Sequence, residues 1–392
     1  MKITFIGTAV DNELLKRLPD ASIAGNKMQL GFIYGFKKNN IEMDVVSIEP
    51  QKMWSFNFKP IFVKEKKLAE GDILISTLSY CNVPILKQIS IKHAIKQALK
   101  KTVNDDSILI VYNTMSIFAK PVLQVAKKYS CKCGAVIADL PIKRKKGLFR
   151  LIEDKRQISY IDRFDFILPI TKLIHTDYAP NTPSQVIEGG CFKDNPIFNN
   201  SENENHTGQK RIIFSGTINA LSGLELLIKA MDYVEENIIL DIYGKGPDEQ
   251  KIRHLIENKK NIIYHGFVSN SEMTILQKNA DLLACPRKAD NYITKYTFPS
   301  KILEYLTIGV PIISNWLPGF PIDYKDLLNI PNSESPQDWG KMINSVLNKN
   351  SSYYQQKAIF AKTYCQENKN WETQTKKVLS LISTIKKKDE NK

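Results

Sequence analysis

The chain is expected to fold as an α/β protein of two domains, each a parallel sheet covered on both faces by helices. Three observations predict this. Short apolar runs alternate with longer amphipathic stretches almost throughout. The alternation breaks once, at a polar segment, and then restarts. The 392 residues also exceed the roughly 250–300 that a single hydrophobic core serves. With 43% hydrophobic and 24% charged residues, there is apolar material enough for two cores.

In the first half, apolar runs at 3–6, 44–47, 72–76, 108–111, 134–138 and 166–170 read as strands. Amphipathic stretches such as 93–101 and 120–129 read as helices between them. Continuously apolar strands with helical spacers indicate parallel pairing buried on both faces. The break is NPIFNNSENENHTGQK, residues 195–210, polar and poor in aliphatics, and it reads as a linker. Strands then recur at 211–214, 238–243, 262–264, 282–284 and 311–314. The expected domains are 1–195 and 196–365, followed by a C-terminal helix and frayed tail over 366–392. Two such units joined by a linker leave a cleft, and ligands of these sheets bind beyond the carboxyl ends of the strands.

The net charge is +14 and the pI near 9.2. Such a surface attracts an anion: nucleic acid, a bilayer or a phosphorylated substrate. A solvated, Lys-rich surface explains the charge equally well. The six cysteines, at 81, 131, 133, 191, 285 and 365, lack zinc spacing and sit in apolar stretches. No run reaches the roughly 18 apolar residues of a membrane span, and MKITFIGTAV enters a strand directly rather than a signal peptide. The expectation is a cytoplasmic protein.

The densest chemistry lies in CPRKADNYITKYTFPSKILEYLTIGVPIISNWLPGFP, residues 285–321. A strand ends at Pro286 and a polar loop runs to Thr297. Phe298-Pro299-Ser300-Lys301 then opens a helix over 302–308, with Ser300 placed to cap nearby amides. Gly309 stops the helix and Pro311 leads into the next strand. A helix N-terminus at a strand-end crevice suits an anion. Lys301, Lys295 and Arg287 add positive charge, which makes a diphosphate the natural ligand. Glu304, one turn inside, suits the vicinal hydroxyls of a ribose.

FPSKILEYLTIGVPII resembles the donor-site segment of glycosyltransferase family 4 and its relatives, most closely the bacterial capsule and exopolysaccharide transferases. The likeness extends upstream through IIFSGTINALSGLELLIKAMDYV, IILDIYGKGPDEQKI and IIYHGFVSNSEMTILQKNADLLACP, about half the chain. It implies the GT-B fold: two Rossmann-like domains facing across a cleft, with a C-terminal helix crossing back to the first. It implies transfer of a sugar from a nucleotide-sugar, a UDP-sugar foremost, to a saccharide acceptor in surface-polysaccharide synthesis, with retention of configuration. Donor contacts would come from Gly216, Thr217, Gly244, Val268, Thr294, Lys295, Ser300, Lys301 and Glu304. Arg287 and Lys301 would stabilise the leaving diphosphate. The chain lacks an Asp-x-Asp beside a strand end, so neither a metal nor another cofactor is expected.

Three positions depart from the family pattern. Tyr296 stands where many members carry a first glutamate, seven residues ahead of the second. Thr217 and Ser222 stand where many carry Arg and Lys. The histidine often found near the strand ends of the first domain has no counterpart, since His93, His175, His206 and His254 sit in helical or polar contexts.

On the acceptor side, SIAGNKMQ, residues 22–29, is expected as a loop over the cleft, bringing Gly25 and Asn26 to the substrate. Asn113 and Asp139 end strands at the same edge. Asp139 would position the acceptor hydroxyl or stabilise charge at the anomeric carbon; it would equally serve as a helix cap. The densest basic run, KRKKGLFR from Lys143 to Arg150, interleaves with apolar residues as membrane-surface segments do. That suits a lipid-linked acceptor and the inner leaflet; a solvated helix face accounts for it too. Other readings stay open: a nucleotide-sugar epimerase, a catalytically inactive paralogue, or a nucleic-acid binder. Against the last, the chain has no recognition-helix, RNP-like or zinc module.

Overall fold

The structure is a computed structural model that describes residues 1–18, 21–54, 60–141, 147–192, 208–349 and 351–390. Its contacts divide into two units. Met1–Gly190 and Trp371–Lys392 form the first, and Cys191–Asn370 the second. Most of the expected linker, and His206 with it, lies outside the described residues.

The first unit holds strands β1 (Lys2–Gly7), β2 (Glu42–Ser47), β3 (Phe62–Val63), β4 (Lys66–Glu70), β5 (Ile73–Thr77), β6 (Tyr80–Cys81), β7 (Ser107–Tyr112), β8 (Lys132–Ile137) and β9 (Phe166–Pro169). Seven of them make one sheet in the order β4-β5-β2-β1-β7-β8-β9. All neighbours are parallel except β4 and β5. β7, reading SILIVY, is buried along its whole length, as a central strand covered on both faces must be. The sequence pattern missed β4 because KKLAE is half charged, the composition that protects a sheet edge. It also missed the two-residue ribbon β3–β6.

Residues 22–29 do not form a loop. They open the helix Ile23–Lys38, with Ser22 as N-cap accepting from the Gly25 amide at 3.0 Å. Two further glycines of this helix are there for close approach. A Cβ on Gly31 would stand 1.9 Å from the Trp371 indole, and one on Gly35 2.3 Å from the Trp371 carbonyl. Trp371 begins the helix Trp371–Glu390, which packs along Ile23–Lys38. Asn39 donates from its amide to Glu372 O and to Thr375 Oγ1, both at 2.9 Å. This last helix runs to Glu390, and Lys386 pairs with Asp106.

The second unit holds β10 (Lys210–Ser215), β11 (Ile238–Tyr243), β12 (Ile262–Gly266), β13 (Leu282–Cys285) and β14 (Ile312–Ser314), all parallel, in the order β12-β11-β10-β13-β14. One face carries the core of Ile212, Leu240, Ile242, Leu227, Trp339 and Ile343. Trp339 satisfies its indole N–H on Asn315 Oδ1 at 2.9 Å. Five of the six cysteines are buried.

Gly31→Ala is expected to destabilise the first unit by about 1–3 kcal/mol, the usual cost of overpacking, because Trp371 has no room to retreat. Urea unfolding followed by Trp371 fluorescence, with the other tryptophans replaced by Phe, checks it.

Candidate active site

In a doubly wound sheet the ligand crevice opens where strand order reverses, at the carboxyl ends. In the second unit that point lies between β10 and β13. The loops leaving β10, β11 and β12 are tied backbone to backbone: Gly216 N donates to Tyr243 O at 3.1 Å, Ile218 N to Lys245 O at 3.1 Å, and Gly244 N to Gly266 O at 2.7 Å. Gly244 has φ +140°, and a Cβ there would sit 1.9 Å from Gly216 O. Gly216 and Gly244 thus hold two loops in contact. Thr217 is exposed between them. Ser222 donates its hydroxyl to Asn219 O at 2.7 Å and closes a turn. Val268 is partly buried two residues beyond the end of β12.

Across the switch point, Asn315 at the end of β14 donates to Pro286 O at 3.3 Å and Arg287 O at 3.0 Å. This pins the chain leaving β13. The Arg287 guanidinium donates from Nη2 to Thr297 Oγ1 at 2.9 Å, while its Nε is buried without a partner. Among the described residues no carboxylate pairs with it. Burial pushes its pKa below the ordinary arginine range. An enclosed cation with unmet donors is a preformed anion site. Thr294, in the short helix Tyr292–Lys295, is fully buried with Oγ1 unpartnered. Lys295 ends that helix. Tyr296 is buried edge-on to Tyr292, ring centroids 5.2 Å apart. An aromatic ring therefore fills the position where the family pattern places a carboxylate.

The following helix is Ser300–Leu306, two residues earlier than expected at each end. Pro299 occupies its cap position and no side chain caps it, which removes the capping role expected for Ser300. Tyr305 anchors the helix: its hydroxyl lies 3.0 Å from Ser215 Oγ, which also accepts from Gln277 Nε2 at 2.8 Å. On the outer face, Lys301 Nζ and Glu304 Oε2 form an ion pair at 2.7 Å, each side chain about one-third exposed. The two residues assigned to phosphate and ribose hold each other.

The first unit has its own switch point, between β1 and β7. A cavity of about 520 Å³ opens there, lined by Thr8, Gly25, Asn26, Tyr112, Asn113 and Asp139 among others. Asn113 is left-handed, φ +60°, a conformation Asn tolerates. Its Oδ1 accepts from the amides of Ala138 and Asp139 at 2.9 and 3.0 Å, and its Nδ2 reaches Asp139 Oδ2 at 3.5 Å. Asn113 thereby fixes the turn that presents Asp139. The Asp139 side chain opens to solvent in the cavity, yet the surrounding walls desolvate it enough to raise its pKa, against the lowering effect of the Asn113 bond. Asn26 spends both amide atoms on Val10, at 2.9 Å each. Gln29 braces Thr8 in the same way. Sequence reasoning missed one wall: Arg150, Asp154 and Gln157, from the helix Leu148–Ser159. Their i, i+4, i+7 spacing is the signal of one polar helix face.

Residues 197–363 match the family model described as glycosyl transferases group 1. No curated protein matches the sequence. Solved structures similar over both chains include the Anabaena protein HepE in complex with UDP (13% identity, TM-score 0.66, covering 98% of this chain and 100% of that one). The apo lipopolysaccharide outer core galactosyltransferase WaaB is similar at 17% identity and TM-score 0.64, with 98% and 99% covered. Sucrose-phosphate synthase from Thermosynechococcus elongatus is similar at 11% identity and TM-score 0.69, again with 98% and 99% covered. At these identities the likeness is one of fold, and the fold is GT-B. With the family match to its second unit, the chain is a glycosyltransferase.

The raised pKa of Asp139 has a stability consequence. The folded state holds this proton to higher pH than the unfolded state does. Stability from this group is therefore full below the unfolded carboxylate pKa and is lost as pH rises through the folded value. Asp139→Asn is expected to melt at higher temperature than wild type at pH 7.5, with the gap closing as pH falls into the ordinary carboxylate range. Thermal unfolding of both proteins across pH 3.5–8 (roughly the window set by free carboxylates) checks the sign.

Proposed function

We propose that the chain moves a sugar from a nucleoside-diphosphate sugar, a UDP-sugar foremost, to a lipid-linked saccharide acceptor in bacterial surface-polysaccharide synthesis, with retention and without a metal. The observation that carries this reading is Arg287: a partly buried guanidinium with no carboxylate partner among the described residues, at the switch point of the matched domain. A diphosphate supplies the missing charge. HepE with UDP and a pneumococcal O-GlcNAc transferase with UDP and GlcNAc, both similar in fold, support uridine as the nucleoside.

On donor binding the Lys301–Glu304 pair exchanges partners. Lys301 turns to the phosphates with Arg287, and Glu304 accepts from the ribose hydroxyls. Both cations then stabilise the charge that develops on the departing diphosphate. Asp139, oriented by Asn113, holds the acceptor hydroxyl in the cavity of the first unit. Tyr296 places a phenol where the donor sugar meets a glutamate in many relatives, so the sugar is recognised without that carboxylate. The same feature favours a second reading, a donor-binding paralogue without turnover. Membrane attachment is assigned to the run from Lys143 to Arg150. Residues 143–146 of that run lie outside the described residues, and no helix among the described residues is long and apolar enough to cross a membrane.

UDP at about 100 times its dissociation constant should stabilise wild type by about 2.7 kcal/mol, and GDP, CMP and ADP should not. Lys301→Ala/Glu304→Ala and Arg287→Gln should each abolish most of that shift. A thermal-shift panel reads both, and a flat response to every nucleotide overturns the donor site.

Asp139→Asn should keep the UDP shift and lose roughly 10²-fold or more in turnover, the scale of a positioned proton acceptor. Sugar transfer from a radiolabelled donor measures it; unchanged turnover removes Asp139 from the mechanism. A UDP shift in wild type with no transfer to any acceptor supports the paralogue.

A further inference from the structure

Tyr112 ends the central strand β7, is only 7% exposed, and forms part of the cavity wall in the first unit. Its hydroxyl stands at the first turn of the helix Ile23–Lys38, since a Cβ on Gly25 would lie 3.3 Å from it. No described residue exchanges a hydrogen bond with that hydroxyl. Burial, and then the Asp139 carboxylate, push its pKa up, so the oxygen keeps its proton and can donate it. A phenylalanine would fill the same space without leaving a buried polar group short of a partner. The phenol is a donor facing a cavity in which nothing of the chain's own receives it.

The groups around it are donors too. The helix Ile23–Lys38 has 16 residues, and its first amides lack partners within the helix. Ser22 takes two of them, Gly25 N on its hydroxyl at 3.0 Å and Asn26 N on its carbonyl at 2.8 Å. The amides of Ile23 and Ala24 have none among the described residues, and the positive end of the helix dipole lies with them. Thr8 Oγ1 accepts from Gln29 Nε2 at 3.2 Å, which leaves the Thr8 proton to donate. Arg150 also lines the cavity, and among the described residues nothing pairs with its guanidinium.

Two carboxylates share the wall, Asp139 and Asp154. Neither cancels these donors. Asp154 has a partner of its own. Asp139 is held by Asn113 and keeps its proton to higher pH than a free carboxylate, which weakens its repulsion of an anion. A guanidinium, two hydroxyls and a helix N-terminus in one wall match the lone pairs and charge of an oxyanion.

We infer that Tyr112, Thr8, Arg150 and the first turn of Ile23–Lys38 form an oxyanion subsite, and that the acceptor is an acidic sugar, a sugar phosphate or a uronate. This rests on the reading that the cavity of the first unit holds the acceptor. The oxyanion takes the Tyr112 hydroxyl, the helix amides and Arg150, while Asp139 receives the reacting hydroxyl. A neutral sugar leaves the Tyr112 and Arg150 donors unmet. A site built to hydrogen-bond one group discriminates strongly against an analogue that lacks it.

The test is calorimetric titration of the full chain with glucose 1-phosphate, glucuronate and glucose. At least one of the two acids should bind at least tenfold more tightly than glucose, and Arg287→Gln should leave that binding unchanged. Tyr112→Phe and Arg150→Gln should each weaken it at least tenfold while keeping the circular dichroism of wild type, which reports the fold independently of UDP. Tighter glucose 1-phosphate identifies the oxyanion as a phosphate at the sugar's linking end; tighter glucuronate identifies it as a carboxylate on the ring. Acids that bind no better than glucose overturn the subsite, as does acid binding that Tyr112→Phe leaves unchanged. Acid binding that Arg287→Gln removes belongs to the second unit and also overturns it. If UDP binds and sugar is transferred but the acids show no preference, the subsite falls and the transferase reading stands. If the acids follow the expected pattern but no sugar is transferred, the subsite stands and the acceptor reading falls.

Discussion

Each sheet begins at an interior strand, lays neighbours down on one side, and then returns to build the other. The loops leaving β1 and β7 must therefore diverge, as must those leaving β10 and β13. No helix can cover the gap. This constraint creates both crevices before any side chain is chosen. The side chains then respond to it. Asn113 and Asn315 do the same work in the two units, each using one amide to hold the backbone at a neighbouring strand end. Each thereby steadies the residue that faces the crevice, Asp139 in one and Arg287 in the other.

The electrostatics of the second unit depend on what is left unpaired. Lys301 has Glu304, so its charge is already balanced, and exchanging partners costs little at a site one-third open to water. Among the described residues Arg287 has only a neutral hydroxyl. A cation held that way gains from an anion without first losing one. The two residues look equivalent in the sequence, as basic groups near a Pro-Ser-Lys turn. In the structure one is a standing site and the other a switchable contact.

What the sequence revealed follows from locality. Central strands such as SILIVY are apolar end to end, and their burial follows directly. The ordered donor motifs were legible because glycines, a proline turn and two charges recur within short spans. The failures involve partners distant along the chain. Residues 22–29 read as a loop, yet they open a helix whose Gly31 and Gly35 lie against Trp371. Asn26 read as a substrate contact; it lines the cavity, and its amide bonds to Val10 are a second role that spacing did not suggest. An i, i+3 Lys–Glu pair is compatible with two ligands or with itself, and spacing alone cannot choose. The cavity wall of Arg150, Asp154 and Gln157 was hidden because the adjoining basic run drew attention to charge rather than to period.

The route of the chain has a consequence for biosynthesis. The first unit is closed by the helix beginning at Trp371, which is made after the whole of the second unit, whereas the second unit is continuous from Cys191 to Asn370. The usual order of folding during synthesis, amino-terminal domain first, is therefore inverted at the final step. The second unit can complete itself while the first waits with the face of Phe32 and Gly31 uncovered. Until that helix has been made, the nascent protein carries an apolar face awaiting Trp371 and the residues after it, and such a face is what a chaperone would recognise.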